Sequence, residues 1–336
     1  MSGFDGLLFA TENSSQLGGT VARHLGVELA AHEEREFENG EHKSRSLVNV
    51  RGTDVFVVST LAGDGMQSAN DKLCRLLFFI GALKDASARS VTAVVPYLCY
   101  SRKDRQTKAR DPVTTRYVAQ LFEAVGTDRL LTLDVHNLAA FQNAARCSTD
   151  HLEATQLFVD HFRHALGDEA AVVVSPDIGG VKRAERVRSR LEAVLGRPVE
   201  LAFTGKHRSR GVVSGPDHVL GDVAGRVAVV VDDIISSGGT MRRVADMLHR
   251  QGAAEVHLAA THALFTPGAE SLFSSDAITS VVVTDSVRPA LPSELVLPGT
   301  GEDARLVVLE IGPLLAEAIA RIQGGGSLSE LLHLDT

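Results

Sequence analysis

The chain has 336 residues, enough for about two domains at roughly 150 residues each, which excludes a small stapled module. Hydrophobic residues make up 44% and charged residues 23%, the balance of a globular protein, while 13 Phe, 3 Tyr and no Trp offer few platforms for stacking bases. The net charge of −8 argues against a protein drawn to nucleic acid or an anionic membrane by its overall field, so any anion site must be built locally.

Met1-Ser-Gly-Phe-Asp5 lacks the basic region and apolar core of a leader, and the longest markedly apolar run, Leu76–Leu83, falls far short of the ~18 residues of a membrane span. Cys74, Cys99 and Cys147 are far apart and form no CxxC pair, which fits a reduced, cytoplasmic chain. Runs rich in Val, Ile and Leu predict buried strands at Gly6–Ala10, Asp54–Ser59, Ser90–Val95, Leu130–Leu133, Ala171–Val174, Val227–Val231, Val256–Ala260, Ile278–Val283 and Leu306–Glu310. Helical patterns lie between many of them; over 241–250, Met241, Val244, Ala245 and Leu248 form one stripe. Such alternation predicts an α/β fold with mainly parallel sheets flanked by helices and ligands at the carboxyl ends of strands.

Asp150 and Glu153 have capping-box spacing, which predicts a helix start and a domain boundary there: 1–150, then 151–312, then a C-terminal helix and tail over 313–336. Ala82–Tyr97 and Met247–His262 share a helix end, a small-residue turn and a strand, so the halves read as two copies of one α/β unit. Pro313 suits the first turn of a helix reaching Ile322, Gly324-Gly325-Gly326 ends it, and the last ten residues read as a mobile or regulatory tail.

The most informative stretch is Val227-Ala-Val-Val-Val-Asp-Asp-Ile-Ile-Ser-Ser-Gly-Gly-Thr240. A strand delivers Asp232 and Asp233, and a loop of small residues, Ser236, Ser237, Gly238, Gly239 and Thr240, opens a helix. Hydroxyls and backbone N–H groups at a helix N-terminus suit a phosphate monoester. The two carboxylates cannot bind phosphate, but they can accept hydrogen bonds from a vicinal diol or hold Mg²⁺. Together the two features point to a sugar phosphate. Residues 102–116 carry six cations against Asp104 and Asp111, a local +4. Lys206, His207, Arg208 and Arg210 form a second basic cluster bounded by Gly205 and Gly211.

The 227–240 segment resembles the ribose 5-phosphate loop of the type I phosphoribosyltransferase fold. Phe37-Glu-Asn-Gly-Glu41, Pro96-Tyr-Leu-Cys-Tyr-Ser-Arg-Lys-Asp104, Leu133-Asp-Val-His136, Ser175-Pro-Asp-Ile-Gly-Gly180 and Lys206-His-Arg208 occur in the order and at the intervals seen in ribose-phosphate pyrophosphokinases. The resemblance spans residues 5–332 and implies two phosphoribosyltransferase-like domains, the first on the ATP side and the second on the ribose 5-phosphate side. It implies diphosphate transfer from Mg-ATP to the C1 hydroxyl of ribose 5-phosphate, giving 5-phosphoribosyl 1-diphosphate and AMP.

By the same resemblance, Lys206 and Arg208 stabilise the migrating diphosphate. Phe37, Asn39, Gly40, Glu41, Arg102, Lys103 and His136 bind ATP, and His136 with Asp177 hold Mg²⁺. Ribose 5-phosphate falls to Arg208, Asp232, Asp233 and Ser236–Thr240, and the Phe37 loop reaching a neighbouring subunit implies a homo-oligomer, dimer-based, with a hexamer and a tetramer both open. Lys103 stands where relatives more often have Gln, Ser236 where many have Asp, and Asn49 and Ala109 replace serines of the regulatory site, which leaves regulation and the donor range, ATP alone or also ADP, open. A catalytically silent regulatory subunit or sensor of the same fold is the alternative, and a transferase using a base is a third reading.

Several features are expected to be decoys. Gly63-Asp-Gly-Met-Gln-Ser68 lacks the third glycine of a dinucleotide fingerprint, and no P-loop sequence occurs. His151, His161 and His164 read as surface helix residues. Lys182, Arg183, Arg186, Arg188 and Arg190 read as the solvated face of a helix.

Overall fold

The computed structural model describes residues 4–205, 208–209, 212–213, 218–288 and 305–332. The chain divides into two compact units, Met1–Glu153 with Glu310–Thr336, and Ala154–Leu309.

The first unit is built on β1 (Leu7–Ala10), α1 (Ser15–Leu25), β2 (His32–Glu36), β3 (His42–Ser46), β4 (Asp54–Val58), α2 (Ala69–Asp85), β5 (Ser90–Val95), α3 (Thr114–Ala124), β6 (Arg129–Leu133), α4 (Leu138–Ala144) and β7 (Ser148–Leu152). Its parallel sheet runs β1-β4-β5-β6-β7. The near-continuous apolar runs of β4 and β5 are buried, as strands covered on both faces require. Two elements escape the apolar-run reading because they are half-exposed and polar. β2 and β3 form an antiparallel hairpin, held to α2 by the His42 ring stacked on Phe78 at 5.4 Å and by the Arg75–Glu36 ion pair. The other is β7, which corrects the predicted helix start: Asp150 lies in this strand, paired with Arg129 of β6, and the next helix begins at Thr155 behind Ala154. His151 is likewise a strand residue, its Nε2 accepting from the Val135 N–H at 3.1 Å.

The second unit contains α5 (Thr155–Ala165), β8 (Ala171–Ser175), α6 (Val181–Leu195), β9 (Glu200–Gly205), β10 (Arg208–Ser209), β11 (Val212–Val213), β12 (His218–Leu220), β13 (Val227–Ile235), α7 (Gly239–Arg250), β14 (Glu255–Ala263), β15 (Ser280–Thr284) and β16 (Leu306–Leu309). Its sheet runs β12-β9-β8-β13-β14-β15-β16, parallel except where β12 joins β9. Within it, β8-β13-β14-β15-β16 repeats the five-strand order of the first unit, and β13-α7-β14 repeats β4-α2-β5. The α7 stripe of Met241, Val244, Ala245 and Leu248 is buried in the core with Val230, Leu258 and Val283. Burial of each large side chain in it is worth roughly 1.5–3 kcal/mol.

The chain then rejoins the first unit through α8 (Gly312–Gly324), with Pro313 in its first turn and Gly325 left-handed at its end. Where the sequence suggests a tail, α9 (Leu328–Leu331) is capped by the Ser327 hydroxyl, and Arg321 of α8 lies 3.5 Å from Glu330.

Candidate active site

The carboxylate pair owes its position to a strand that outruns its neighbour. β8 pairs with β13 only over Val227–Val230, whereas β14 continues to pair as far as Ile235. Asp232 and Asp233 thus lie inside the strand, which runs on to Ile235, whereas the apolar run alone ends it at Val231. The side of β13 vacated by β8 is taken by Arg183 of α6, whose Nη1 is 3.1 Å from Asp232 Oδ1 and 3.3 Å from Asp233 Oδ1. The Asp233 N–H donates to Asp232 Oδ1 at 2.9 Å. Arg183 therefore does not belong to a solvated helix face. It is largely covered, as its length and two anionic partners allow, while Lys182 on the same turn is exposed and Arg188 pairs with Glu185 and Glu192.

The Ser236–Thr240 loop then turns into α7. Gly238 caps the helix in the left-handed region at φ 75°, and no side chain caps the N-terminus, so the first amides and the helix dipole face an incoming anion. Ser237, Gly239 and Thr240 are exposed and Gly238 is buried. From the other side, the loop after β14 braces the turn: the Thr266 N–H donates to the Ser236 carbonyl at 3.2 Å, and the two hydroxyls are also 3.2 Å apart. Thr266 carries no motif that sequence reading could have flagged.

Burial and the adjacent Asp233 charge push Asp232 up to about 7, with Arg183 opposing. The folded chain then retains a proton that the unfolded chain loses near pH 4, so this group's contribution to stability declines as pH rises from about 4 to about 7. Asp232→Asn is expected to gain thermal stability relative to the wild type across that window and to hold a constant difference above it. Melting curves whose separation does not change between pH 4 and 7 would refute the assignment.

In the first unit, β2 and β3 present Phe37, Asn39, Gly40 and Glu41 at their connecting turn. Asn39 Oδ1 accepts from the Glu41 N–H at 3.2 Å, Gly40 is left-handed, and Arg35 lies 5.2 Å from the exposed Phe37 ring. Arg102 is exposed in the loop after β5. Lys103 is engaged: its Nζ donates to Asp111 Oδ2 at 2.6 Å, and Asp111 also accepts from Thr107 and Lys108, which holds its carboxyl well below the usual range. His136 is exposed just after β6, beyond Asp134 in the left-handed region. The adjoining Asn137 caps α4 and donates to Asp104 at 2.6 Å, tying the His136 turn to the basic loop.

The first unit's counterpart of the α7 loop is closed to anions. Ser68 Oγ accepts from the Asp71 N–H and Asp71 accepts from the Ser68 N–H, a complete capping box on α2, and Asp64 before it is paired with the buried Lys72 at 2.7 Å. Two copies of one strand-loop-helix unit thus differ in whether their own side chains fill the helix N-terminus.

Comparison with known proteins gives two matching family models: the N-terminal domain of ribose phosphate pyrophosphokinase over residues 7–126 and the phosphoribosyl transferase domain over 150–286. A ribose-phosphate pyrophosphokinase of Caldanaerobacter subterraneus is 36% identical over 325 residues, 96% of each chain. The chain belongs to the ribose-phosphate pyrophosphokinase family. Another member, from Fusobacterium nucleatum, is 33% identical over 97% of this chain and 98% of its own. The crystal structure of phosphoribosylpyrophosphate synthetase from Mycobacterium smegmatis superposes with a TM-score of 0.84 at 33% identity, covering 96% of this chain and all of the other.

Of the residues that the pyrophosphokinase resemblance singles out, Phe37–Glu41, Arg102 and Lys103 fall in the first matched segment, Asp177 and 232–240 in the second, and His136 between them. Asp177 is exposed, and its Oδ1 accepts from the Gly180 N–H at 2.9 Å. Lys206 lies outside the described residues, and Arg208 is described only as the start of β10.

Proposed function

We infer that the chain is a ribose-phosphate pyrophosphokinase, transferring diphosphate from ATP to the C1 hydroxyl of ribose 5-phosphate. The observation that carries this reading is the carboxylate pair Asp232–Asp233 of β13 followed, across the short Ser236–Gly238 loop, by the uncapped N-terminus of α7. The loop Ser236–Thr240 takes the 5-phosphate and Asp232 with Asp233 accept from the 2- and 3-hydroxyls, so the sugar is gripped at both ends and its C1 hydroxyl is aimed.

The C1 oxygen bonds to the β-phosphorus of ATP while the bond from that phosphorus to the α–β bridging oxygen breaks and AMP departs. The hydroxyl proton is released as the new bond forms. Catalysis of such a transfer rests on positioning and on cations placed where charge gathers. Lys206 and Arg208 take that role. Phe37, Asn39, Gly40 and Glu41 hold adenine, and Arg102 holds the phosphates, with Lys103 restrained by Asp111. His136 in the first unit and Asp177 in the second are the donors that the family resemblance assigns to Mg²⁺, which would neutralise phosphate charge when bound. The donors suit it, an exposed carboxylate and an exposed imidazole, for an ion that takes few protein ligands and keeps several waters.

The cysteines at 74, 99 and 147 are free, and no described helix is long and apolar enough to cross a membrane; a cytoplasmic location, with its substrates and further copies of itself as partners, is part of the proposal. The exposed Phe37 turn suits service to a neighbouring copy. Incubation with Mg-ATP and ribose 5-phosphate is expected to give AMP and 5-phosphoribosyl 1-diphosphate in equal amounts. Ligand binding without AMP release would identify a silent regulatory subunit instead.

A further inference from the structure

We propose that Arg183 is a positioning residue for ribose 5-phosphate, its guanidinium bridging Asp232 and Asp233 so that both carboxylates are held as acceptors for the vicinal hydroxyls of the sugar. The proposal rests on the sugar-phosphate reading of this site.

A cation is out of place where Arg183 stands. It is the third residue of α6, where the positive end of the helix dipole disfavours positive charge, and its side chain is only 16% exposed. Such a position is tolerated when anions compensate it, and two do: Nη1 lies 3.1 Å from Asp232 Oδ1 and 3.3 Å from Asp233 Oδ1. The need is mutual. Asp233 is only 5% exposed at its side chain and Asp232 24%, and two adjacent carboxylates in that setting repel each other and tend to take up a proton. A protonated carboxyl spends its hydroxyl as a donor, whereas a diol offers donors and needs acceptors. One guanidinium nitrogen shared between the pair counters the repulsion and fixes the direction in which the remaining lone pairs face.

The backbone around Arg183 is shaped for this contact. A Cβ added at Gly180 would stand 2.8 Å from Ser175 Oγ, 3.7 Å from Asp177 Oδ1 and 3.8 Å from Arg183 Nη1, so a side chain there would press on the turn that carries both the guanidinium and Asp177. Ser175 Oγ donates to the Asp177 carbonyl at 2.6 Å, and the Arg183 N–H donates to the Gly180 carbonyl at 3.0 Å. The turn and the first helical residues are thus one braced piece. Arg183 touches the acceptors and not the reacting atoms, which separates its role from that of Lys206.

The test compares wild type, Arg183→Met and Arg183→Lys with ribose 5-phosphate and with 2-deoxyribose 5-phosphate, which lacks one of the two hydroxyls. For Arg183→Met, the KM for ribose 5-phosphate is expected to rise about 10–100-fold, the range lost when a charged or supporting hydrogen-bond partner is removed. The KM for Mg-ATP stays near the wild-type value, and the preference for ribose over deoxyribose shrinks about tenfold or more. Arg183→Lys, which restores the charge without the fork, falls between. A purely structural role would lower activity on both sugars alike. An unchanged sugar preference in Arg183→Met, or in Arg183→Lys should the methionine variant not fold, overturns the proposal. If the wild type itself forms no 5-phosphoribosyl 1-diphosphate, the functional reading fails first; if it does and only the Arg183 comparison is flat, this proposal alone fails.

Discussion

Lys206→Ala is expected to lower kcat by about 10²–10³-fold, the cost of removing one donor aimed at transition-state charge, while the affinity for Mg-ATP changes little. In the ground state the triphosphate charge is already spread over its oxygens, and in the proposed reading it is met by Arg102 and the other ATP-side groups. In transfer, new charge gathers on the bridging oxygen that leaves with AMP, and a cation placed for that atom acts on kcat and on kcat/KM together. Lys206 follows in sequence directly on Gly205, the last residue of β9, and opens a basic stretch with Arg208 and Arg210. Steady-state kinetics with both substrates, together with equilibrium nucleotide binding, checks this result. Turnover within a few-fold of the wild type would remove Lys206 from the reaction.

Gly238→Ala should damage both stability and sugar-phosphate binding. At φ 75° an alanine costs about 1–2 kcal/mol in the left-handed region. The new Cβ would also sit 2.7 Å from Leu272 Cγ, and Leu272 is fully buried, so it cannot swing aside without overpacking the core at about 1–3 kcal/mol. With roughly 2–4 °C lost per kcal/mol in a unit of this size, the second unit should melt about 5–15 °C lower. Any relief achieved by backbone movement displaces the α7 N-terminus, so the KM for ribose 5-phosphate rises while that for ATP holds. Calorimetry and kinetics with an unchanged melting profile and sugar KM would show that the turn tolerates a side chain and that its glycine is not what shapes the loop.

The sheet cores were legible because parallel strands covered on both faces must be apolar along their whole length; β4, β5, β8 and β13 announce themselves in that way. β2, β3 and β7 do not, since each is half-exposed and its stability comes from pairing and from a few cross-element contacts such as Arg129 with Asp150. The capping-box spacing of Asp150 and Glu153 was a coincidence of sequence that strand pairing overrode. At the site, the Asp232–Thr240 segment could be read directly, because its chemistry is local. Arg183 could not, since five cations on α6 share one helical pattern and nothing local marks the third residue of the helix as the partner of Asp232 and Asp233 on β13. The signal that would have found it is its position: a cation in the first turn of a helix calls for an anionic partner from elsewhere. Lys103 shows the reverse case, a cation in a basic loop whose charge is answered eight residues on by Asp111.

The contrast between the filled helix terminus at α2 and the open one at α7 also sets how each half of the molecule responds to its surroundings. The first unit carries its anion within its own chain, as Ser68 and Asp71, and its folding free energy includes that satisfaction at every concentration of metabolite. The second unit leaves the same terminus uncapped by its own side chains, and a sugar phosphate bound there, as proposed above, would add stability by RT ln(1 + [L]/Kd). On the sugar-phosphate reading, added ribose 5-phosphate is therefore expected to stabilise the second unit as its occupancy rises.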